Sequence, residues 1–311
     1  MPRAKFIVID PITLTESMLT SHSVAESEST YNPATTYAAD DVVLYDATTL
    51  GHDSFRSLQG SNTGNTPVKW PETSVWWYDL GKTNRWQMFD LTTNAQTTGA
   101  SPMTFTLEPG QPVTAIGLDR VEGDTVRIQI AGTSYDRTIK TNVRDVTGFY
   151  TFYTAKHRYR RAITAFDLPG LVENPVITVT ITNSEGDAKC GGVVIGQAVE
   201  LGSGQGGSTL RINSYSLFER DSIETNRVRL QDRGSFREAN VQAFVRQGKL
   251  NLLSNLLTEL DSTPTFWAGT HEIDHAWYET FIIRGVIKSP IEIPSRKDTK
   301  DTFINLSIQG I

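Results

Sequence analysis

Alternation with a period of two is the feature that most constrains the fold of this chain. Segments such as TFTLEP, TVRIQIAG and VITVTIT place apolar, often β-branched residues at every second position. Turn-forming stretches such as EPGQP, VEGDT and TNSEGD separate these segments at short intervals. Alternation between closely spaced turns is typical of the strands of sandwiches and barrels. The sequence therefore predicts a mainly β protein.

One segment departs from this alternation and predicts a helix over residues 247–260. The stretch QGKLNLLSNLLTEL spaces its leucines three and four residues apart, which gives one apolar stripe. The stripe consists of Leu250, Leu253, Leu256, Leu257 and Leu260. We expect the helix to end in the stretch 261–264 and to pack over the open face of a sheet or barrel.

The composition excludes several classes of protein. The 311 residues carry a net charge of −6 at pH 7, so we expect no nucleic-acid partner, because phosphate would repel the chain. No apolar run reaches the roughly 18 residues that span a bilayer, so we expect no membrane insertion. The start, MPRAKFIVIDP, has too short an apolar stretch for a signal peptide. The single cysteine, Cys190, excludes an internal disulfide framework and is expected to be a small buried residue.

Breaks in the pattern predict four segments. They are an N-terminal strand and linker at 1–28, a small aromatic module at 29–81, a β-sandwich at 82–205 and a barrel domain at 206–311. The Ser/Glu-rich stretch 21–32 is expected to be a linker, and the Gly/Ser stretch 202–208 a flexible hinge. The strand KFIVIDPITL could belong to the barrel or to the sandwich, and the sequence does not decide between them.

The segment 29–81 is dense in aromatic residues, as a small core without disulfides requires. Its order of residues resembles the small chitin-binding-type carbohydrate module. The resemblance is carried by Tyr37, Asp41-Val42-Val43, Phe55-Arg56-Ser57, Gly60, Gly64, Pro67 and Trp76. At two positions the chain departs from that family, with Asp41 where Gly is usual and Tyr31 where Trp is usual.

The resemblance implies a short twisted sheet whose exposed rings stack on sugars. The candidate stacking residues are Trp70, Trp76, Trp77 and Tyr37. The alternative is that these rings form the core of the module or an interface with a neighbouring subunit.

Two further resemblances concern the rest of the chain. The alternation and Gly-rich turn of residues 82–201 resemble a jelly-roll sandwich of the galactose-binding-like type, a likeness of fold that does not by itself imply sugar binding. The C-terminal order of strands, leucine helix and strands, with Trp267 after the helix and the ending SIQGI, resembles the tube-type barrel of tailed-phage tail proteins. That family packs one helix beside a barrel and assembles barrels edge to edge into rings.

Together these features resemble a structural protein of the distal tail or baseplate of a phage with a long non-contractile tail. The resemblance implies a cyclic homo-oligomer, neighbouring tail proteins as partners, synthesis in the host cytoplasm and residence in the virion. It implies no enzymatic activity and no cofactor. A glycan-binding protein that adheres to a host surface is the first alternative.

A zinc-dependent hydrolase is the second alternative, because residues 271–275, HEIDH, match the H-E-x-x-H motif. The motif needs a helix, but the sequence after it alternates like a strand. It also needs a third ligand, and no histidine follows His275. We therefore expect no metal there and no catalytic residues.

The chain contains one basic cluster, KHRYRR at 156–161. It could contact a phosphate or an acidic neighbour, or it could be a solvated strand face or turn.

Overall fold

The computed structural model contains 24 strands, two α-helices and three short 3-10 turns in the residues that it describes. Those residues are 5–45, 51–69, 71–92, 95–144, 147–155, 157–160, 162–204, 207–220, 228–231, 234–270, 280–288 and 301–311. The mainly β prediction, with one packed helix, is confirmed.

The strands follow one another along the chain with few helices between them. The first twelve are β1 (Lys5–Pro11), β2 (Leu19–His22), β3 (Ser29–Thr30), β4 (Val42–Tyr45), β5 (Asp53–Ser57), β6 (Trp77–Lys82), β7 (Thr97–Gly99), β8 (Met103–Leu107), β9 (Ala115–Asp119), β10 (Thr125–Ile130), β11 (Asp136–Lys140) and β12 (Asn142–Arg144). The remaining twelve are β13 (His157–Tyr159), β14 (Ala162–Ala165), β15 (Ile177–Thr182), β16 (Ala188–Cys190), β17 (Gly192–Gly204), β18 (Thr209–Ser214), β19 (Leu217–Arg220), β20 (Val228–Gln231), β21 (Ser235–Arg246), β22 (Thr265–Ala268), β23 (Ile282–Ile287) and β24 (Asp301–Gly310). The helices are α1 (Phe149–Thr154) and α2 (Leu250–Glu259), and the 3-10 turns are Glu16–Met18, Gln87–Phe89 and Gln247–Lys249.

The chain divides into two compact units. Unit 1 comprises Met1–Pro11, Thr164–Phe166 and Gly196–Ile311, and unit 2 comprises Ile12–Ile163 and Asp167–Ile195.

Unit 1 contains a closed barrel of six antiparallel strands. The order is β17-β1-β22-β23-β24-β21, and β21 pairs back onto β17 to close the ring. The barrel therefore takes β1 and β17 from outside the range 206–311 that the sequence assigned to it. Closure requires them, because without these two strands β21 and β22 would each keep an open edge.

The N-terminal strand is thereby assigned to the barrel. Ile7 pairs with Ala268 and Val8 with Trp267, so β1 lies between β17 and β22. Residues 202–204 are also strand, since Phe6 pairs with Gly202 and Lys5 with Ser203. The expectation of a flexible hinge is therefore wrong for these three residues. The glycine at position 202 allows two strands to approach closely, because a Cβ there would overlap the backbone carbonyl of Phe244.

Helix α2 fills the core of unit 1 as its leucine spacing predicts. Leu253, Leu256, Leu257 and Leu260 are buried in one cluster with side chains from the barrel strands. Trp267 of β22 belongs to the same cluster, stacks on Phe6 with ring centroids 6.2 Å apart and donates its indole N–H to the carbonyl of Gly285. The helix prediction is confirmed.

Unit 2 contains a five-stranded antiparallel sheet with the order β11-β10-β15-β8-β2. Strands β8, β10 and β15 bury every second side chain, as their alternation predicts. The expected linker at 21–32 is partly strand, since its first two residues end β2 and Ser29–Thr30 form β3. Cys190 is fully buried at the end of β16, as predicted.

Candidate functional site

The small aromatic module is a four-stranded sheet with the order β3-β4-β5-β6. Two of the candidate stacking residues, Tyr37 and Trp77, lie in its core together with Val43 and Phe55. Their rings meet edge to face, with centroids 5.3 Å apart. The indole N–H of Trp77 donates to the carbonyl of Asn65 at 2.6 Å. Both rings are therefore core residues, which is the alternative that the sequence left open.

The other two candidates are placed differently. Trp76 is half-buried and packs against the same core from its rim. Trp70 lies outside the described residues.

The opposite face of this sheet presents a ring that the sequence analysis did not select. Val42 pairs with Arg56, and Arg56 pairs with Tyr78, so the three residues form one row across the sheet. Tyr78 is 54% exposed, and the guanidinium of Arg56 lies 5.6 Å from its ring centroid. An exposed ring beside a cation on the face of a sheet can stack on a sugar and hydrogen-bond its hydroxyls.

Strand alternation explains why the adjacent aromatics of WWY have opposite roles. In β6, Trp77 is buried and Tyr78 exposed, because successive side chains leave a strand on opposite faces. The same relation holds in β4, where Val43 is buried and Val42 is exposed. Strand alternation is therefore the sequence signal that could have separated the two aromatics.

A cluster of charged side chains around a buried carboxylate stabilises the small aromatic module. The carboxylate of Asp53 is fully buried and accepts hydrogen bonds from Lys69 at 2.9 and 3.0 Å, and Lys82 lies 3.1 Å away. Lys82 also donates to the carbonyl of Gly51 at 3.2 Å, and burial lowers the pKa of its ammonium group. The carboxylate is engaged by two cations, so this cluster stabilises the sheet.

A second candidate site is a strand edge in unit 1. Strand β18 pairs with β21 along one side, and no other described strand pairs with it. Its side chains are exposed or half-buried, and Ile212 is 69% exposed. An edge of this kind presents unpaired backbone groups that another chain can extend.

The H-E-x-x-H motif at 271–275 lies outside the described residues. Among the described residues, no group of three histidine, cysteine, aspartate or glutamate side chains could hold a metal ion. The described helices are too short or too polar to cross a membrane.

The basic cluster 156–161 is described in part. Residues 157–159 form β13, which pairs with β12 and brings the cluster to one side of a hairpin. Arg158 is exposed and Arg160 half-buried.

Comparison of the chain with protein-family models, with curated proteins and with solved structures gives no match.

Proposed function

We propose that the chain is a non-enzymatic structural component of a phage tail tip or baseplate. In this proposal identical copies form a ring-like assembly through unit 1 and carry outward-facing β domains. The protein is made in the host cytoplasm and resides in the virion tail, where it contacts neighbouring tail proteins.

The observation that carries the proposal is the closed six-stranded barrel with the leucine helix packed into its core. A barrel with one helix beside it is the element that tube-type tail proteins repeat around a ring. The edge of β18, which no other described strand covers, supports assembly, because a neighbouring copy could pair with it and cover its backbone groups.

The edge can be tested by placing a charge on it. Replacement Ile212→Lys should weaken assembly, because lysine on an edge strand disfavours pairing with a second edge. The matched control is Leu171→Lys, which changes an equally apolar and fully exposed residue away from this strand. Mass photometry should show closed oligomers for the parent and the control and smaller species for Ile212→Lys, with unchanged melting temperatures.

A reconstruction of the intact particle gives the decisive result. Copies related by rotation in the tail would support the proposal. Absence of the chain from purified particles, or its presence outside any symmetric assembly, would refute it.

A second function, glycan binding, is favoured by the exposed row of Val42, Arg56 and Tyr78. If Tyr78 stacks on sugars, Tyr78→Ala should abolish retardation in gels that contain the polysaccharide. Tyr215→Ala is a matched control, since this ring is also 54% exposed but lies in unit 1. Equal retardation of the parent and Tyr78→Ala would exclude this face as the binding surface.

A further inference from the structure

A hairpin of unit 2 carries four aromatic side chains at its tip. We name residues 140–161 the aromatic arm: β12 and β13 form its two strands and α1 lies between them. The arm is fixed at its base by the buried Thr141, whose carbonyl accepts the N–H of Arg160 at 2.8 Å and whose own N–H donates to Asp124 at 3.0 Å.

Helix α1 separates its aromatic and polar residues onto two faces. Phe149, Tyr150, Phe152 and Tyr153 share one side at helical spacing, and each is more than half exposed, from 54% to 83%. The opposite side holds Thr151 and Thr154, whose hydroxyls bond to the backbone of the same arm. Edge-to-face contacts between ring centroids 5.3 and 5.2 Å apart join Tyr153 to Phe149 and Phe152, so these three rings are continuous, and Tyr150 lies on the same side of the helix.

The size of this patch is that of a contact surface. Four rings exposed to this degree present roughly 500 Å² of largely apolar area. A patch of this order is comparable with the largest apolar patch on a typical single chain, and such patches often serve as contact surfaces. The patch is nevertheless smaller than the roughly 800 Å² per partner of an ordinary stable pair, so it suits one contact of several in a larger assembly.

Charge indicates which surface covers the patch. The aromatic arm contains six lysine or arginine residues and one aspartate, a net charge of +5, whereas the whole chain carries −6. The remaining residues of each copy therefore carry −11, and the arm of one copy is attracted to the acidic remainder of another. Two arms facing each other would instead oppose +5 with +5.

We propose that the aromatic arm docks on the acidic surface of a second copy of this chain. The arm and the surface on which it docks are different parts of the chain, so the contact is head to tail. Repeated contacts of this kind either close into a ring or extend as a filament. This inference rests on the proposed assembly and names the contact that unit 2 contributes to it.

The test uses two preparations of the full chain. The donor carries a photoreactive phenylalanine analogue at position 150, and the acceptor is uniformly labelled with a heavy isotope and carries Phe149→Ser and Tyr153→Ser. After illumination of the mixture, mass spectrometry should find the probe joined to heavy peptides rich in aspartate and glutamate. Failure of the altered acceptor to be labelled, while an unaltered heavy chain is labelled, would mean arm-to-arm contact and would overturn the proposal.

Association is measured separately on one preparation at a time. Phe149→Ser with Tyr153→Ser should weaken self-association about tenfold or more, because exposed rings of this kind dominate contact energies. Added salt should weaken the parent as well, because it screens the attraction between the arm and the acidic surface. Leu171→Ser, at a fully exposed apolar residue of the same unit, should have no effect.

The remaining outcomes separate this inference from the proposed function. Rings that form equally well with the altered arm and give no cross-link would overturn the arm contact and leave the ring intact. A chain that forms no oligomer in solution or in the particle would overturn both. Flotation of the parent with vesicles of anionic lipid, lost with the altered arm and without any copy-to-copy cross-link, would make lipid the occupant and overturn the proposal.

Discussion

His22 is a half-buried histidine whose environment favours the neutral ring. Its Nδ1 accepts the N–H of Val24 at 2.8 Å, and its ring stacks on Phe105 with centroids 6.0 Å apart. The other ring nitrogen, Nε2, is buried with no hydrogen-bond partner among the described residues. Burial, with a smaller contribution from the charge of Arg85, lowers the pKa of His22 from 6.5 to about 4.

This environment predicts a loss of stability in acid. The unfolded chain binds a proton at His22 below pH 6.5, while the folded chain does not until about pH 4, so the free energy of unfolding falls as the pH decreases across that window. The loss amounts to about 3 kcal/mol at most. Replacement His22→Asn keeps an acceptor for Val24 but removes the titration. Urea unfolding at both ends of the window should show a smaller acid loss for the variant, and an equal loss would assign the effect to other groups.

The buried carboxylate of Asp53 leads us to expect a loss of stability with a different cause, the disruption of a buried ion pair. With Asp53→Asn, the buried ammonium group of Lys82 would lose the carboxylate that lies 3.1 Å from it, and breaking a buried pair of this kind costs about 3–5 kcal/mol. The control is Asp136→Asn, which breaks the exposed pair with Arg127 and should cost less than about 1 kcal/mol. Chemical denaturation of both variants measures the difference. Equal costs would mean that Lys82 finds water or another partner when the carboxylate is removed.

Helix α2 offers two adjacent leucines with opposite environments. Leu253 is fully buried in the core of unit 1, whereas Leu252 is 64% exposed. Replacement Leu253→Asp would bury an unpaired charge and should unfold unit 1, at a cost above about 4 kcal/mol. Leu252→Asp should change the free energy of unfolding by less than about 1 kcal/mol, because its side chain stays in water. Thermal melts of both variants test this, and an unchanged melt for Leu253→Asp would contradict the packing of the helix.

The two helices also show what sequence patterns can and cannot predict. The leucines of α2 recur over ten residues, long enough to distinguish a helical stripe from strand alternation. Helix α1 has only six residues, FYTFYT, and its pattern is too short for that distinction. Its exposed rings could be recognised only once the hairpin around them was in place.

The pairing partners of the strands could not be predicted from the sequence, for a related reason. The strand β1 is apolar enough for either unit, and its place is fixed by residues of β17 and β22 far along the chain. Local alternation carries no information about such distant partners. In the small module, alternation could have separated the buried Trp77 from the exposed Tyr78, but the candidates were chosen from the aromatic pattern alone, which selected Trp77.

At the scale of the whole molecule, closure of the barrel depends on a short N-terminal segment that contains β1. Removal of residues 1–11 would leave β17 and β22 without the strand between them and would expose the core around Phe6 and Val8. Hydrogen exchange should then become fast throughout 196–311 while the five-stranded sheet of unit 2 stays protected, since that unit begins at Ile12. Retained protection in 196–311 would mean that the barrel closes without β1.

The position of β1 in the barrel also sets an order of events during synthesis. This strand is translated before β22, its neighbour, and the ribosome must add more than two hundred residues before Trp267 can pair with Val8. At usual elongation rates that interval lasts roughly ten to fifty seconds. The apolar run FIVI of β1 is exposed on the nascent chain throughout that time, and the barrel can close only after translation has passed its last strands. Unit 2, all of which is translated in between, can fold while the two ends of the barrel are still apart.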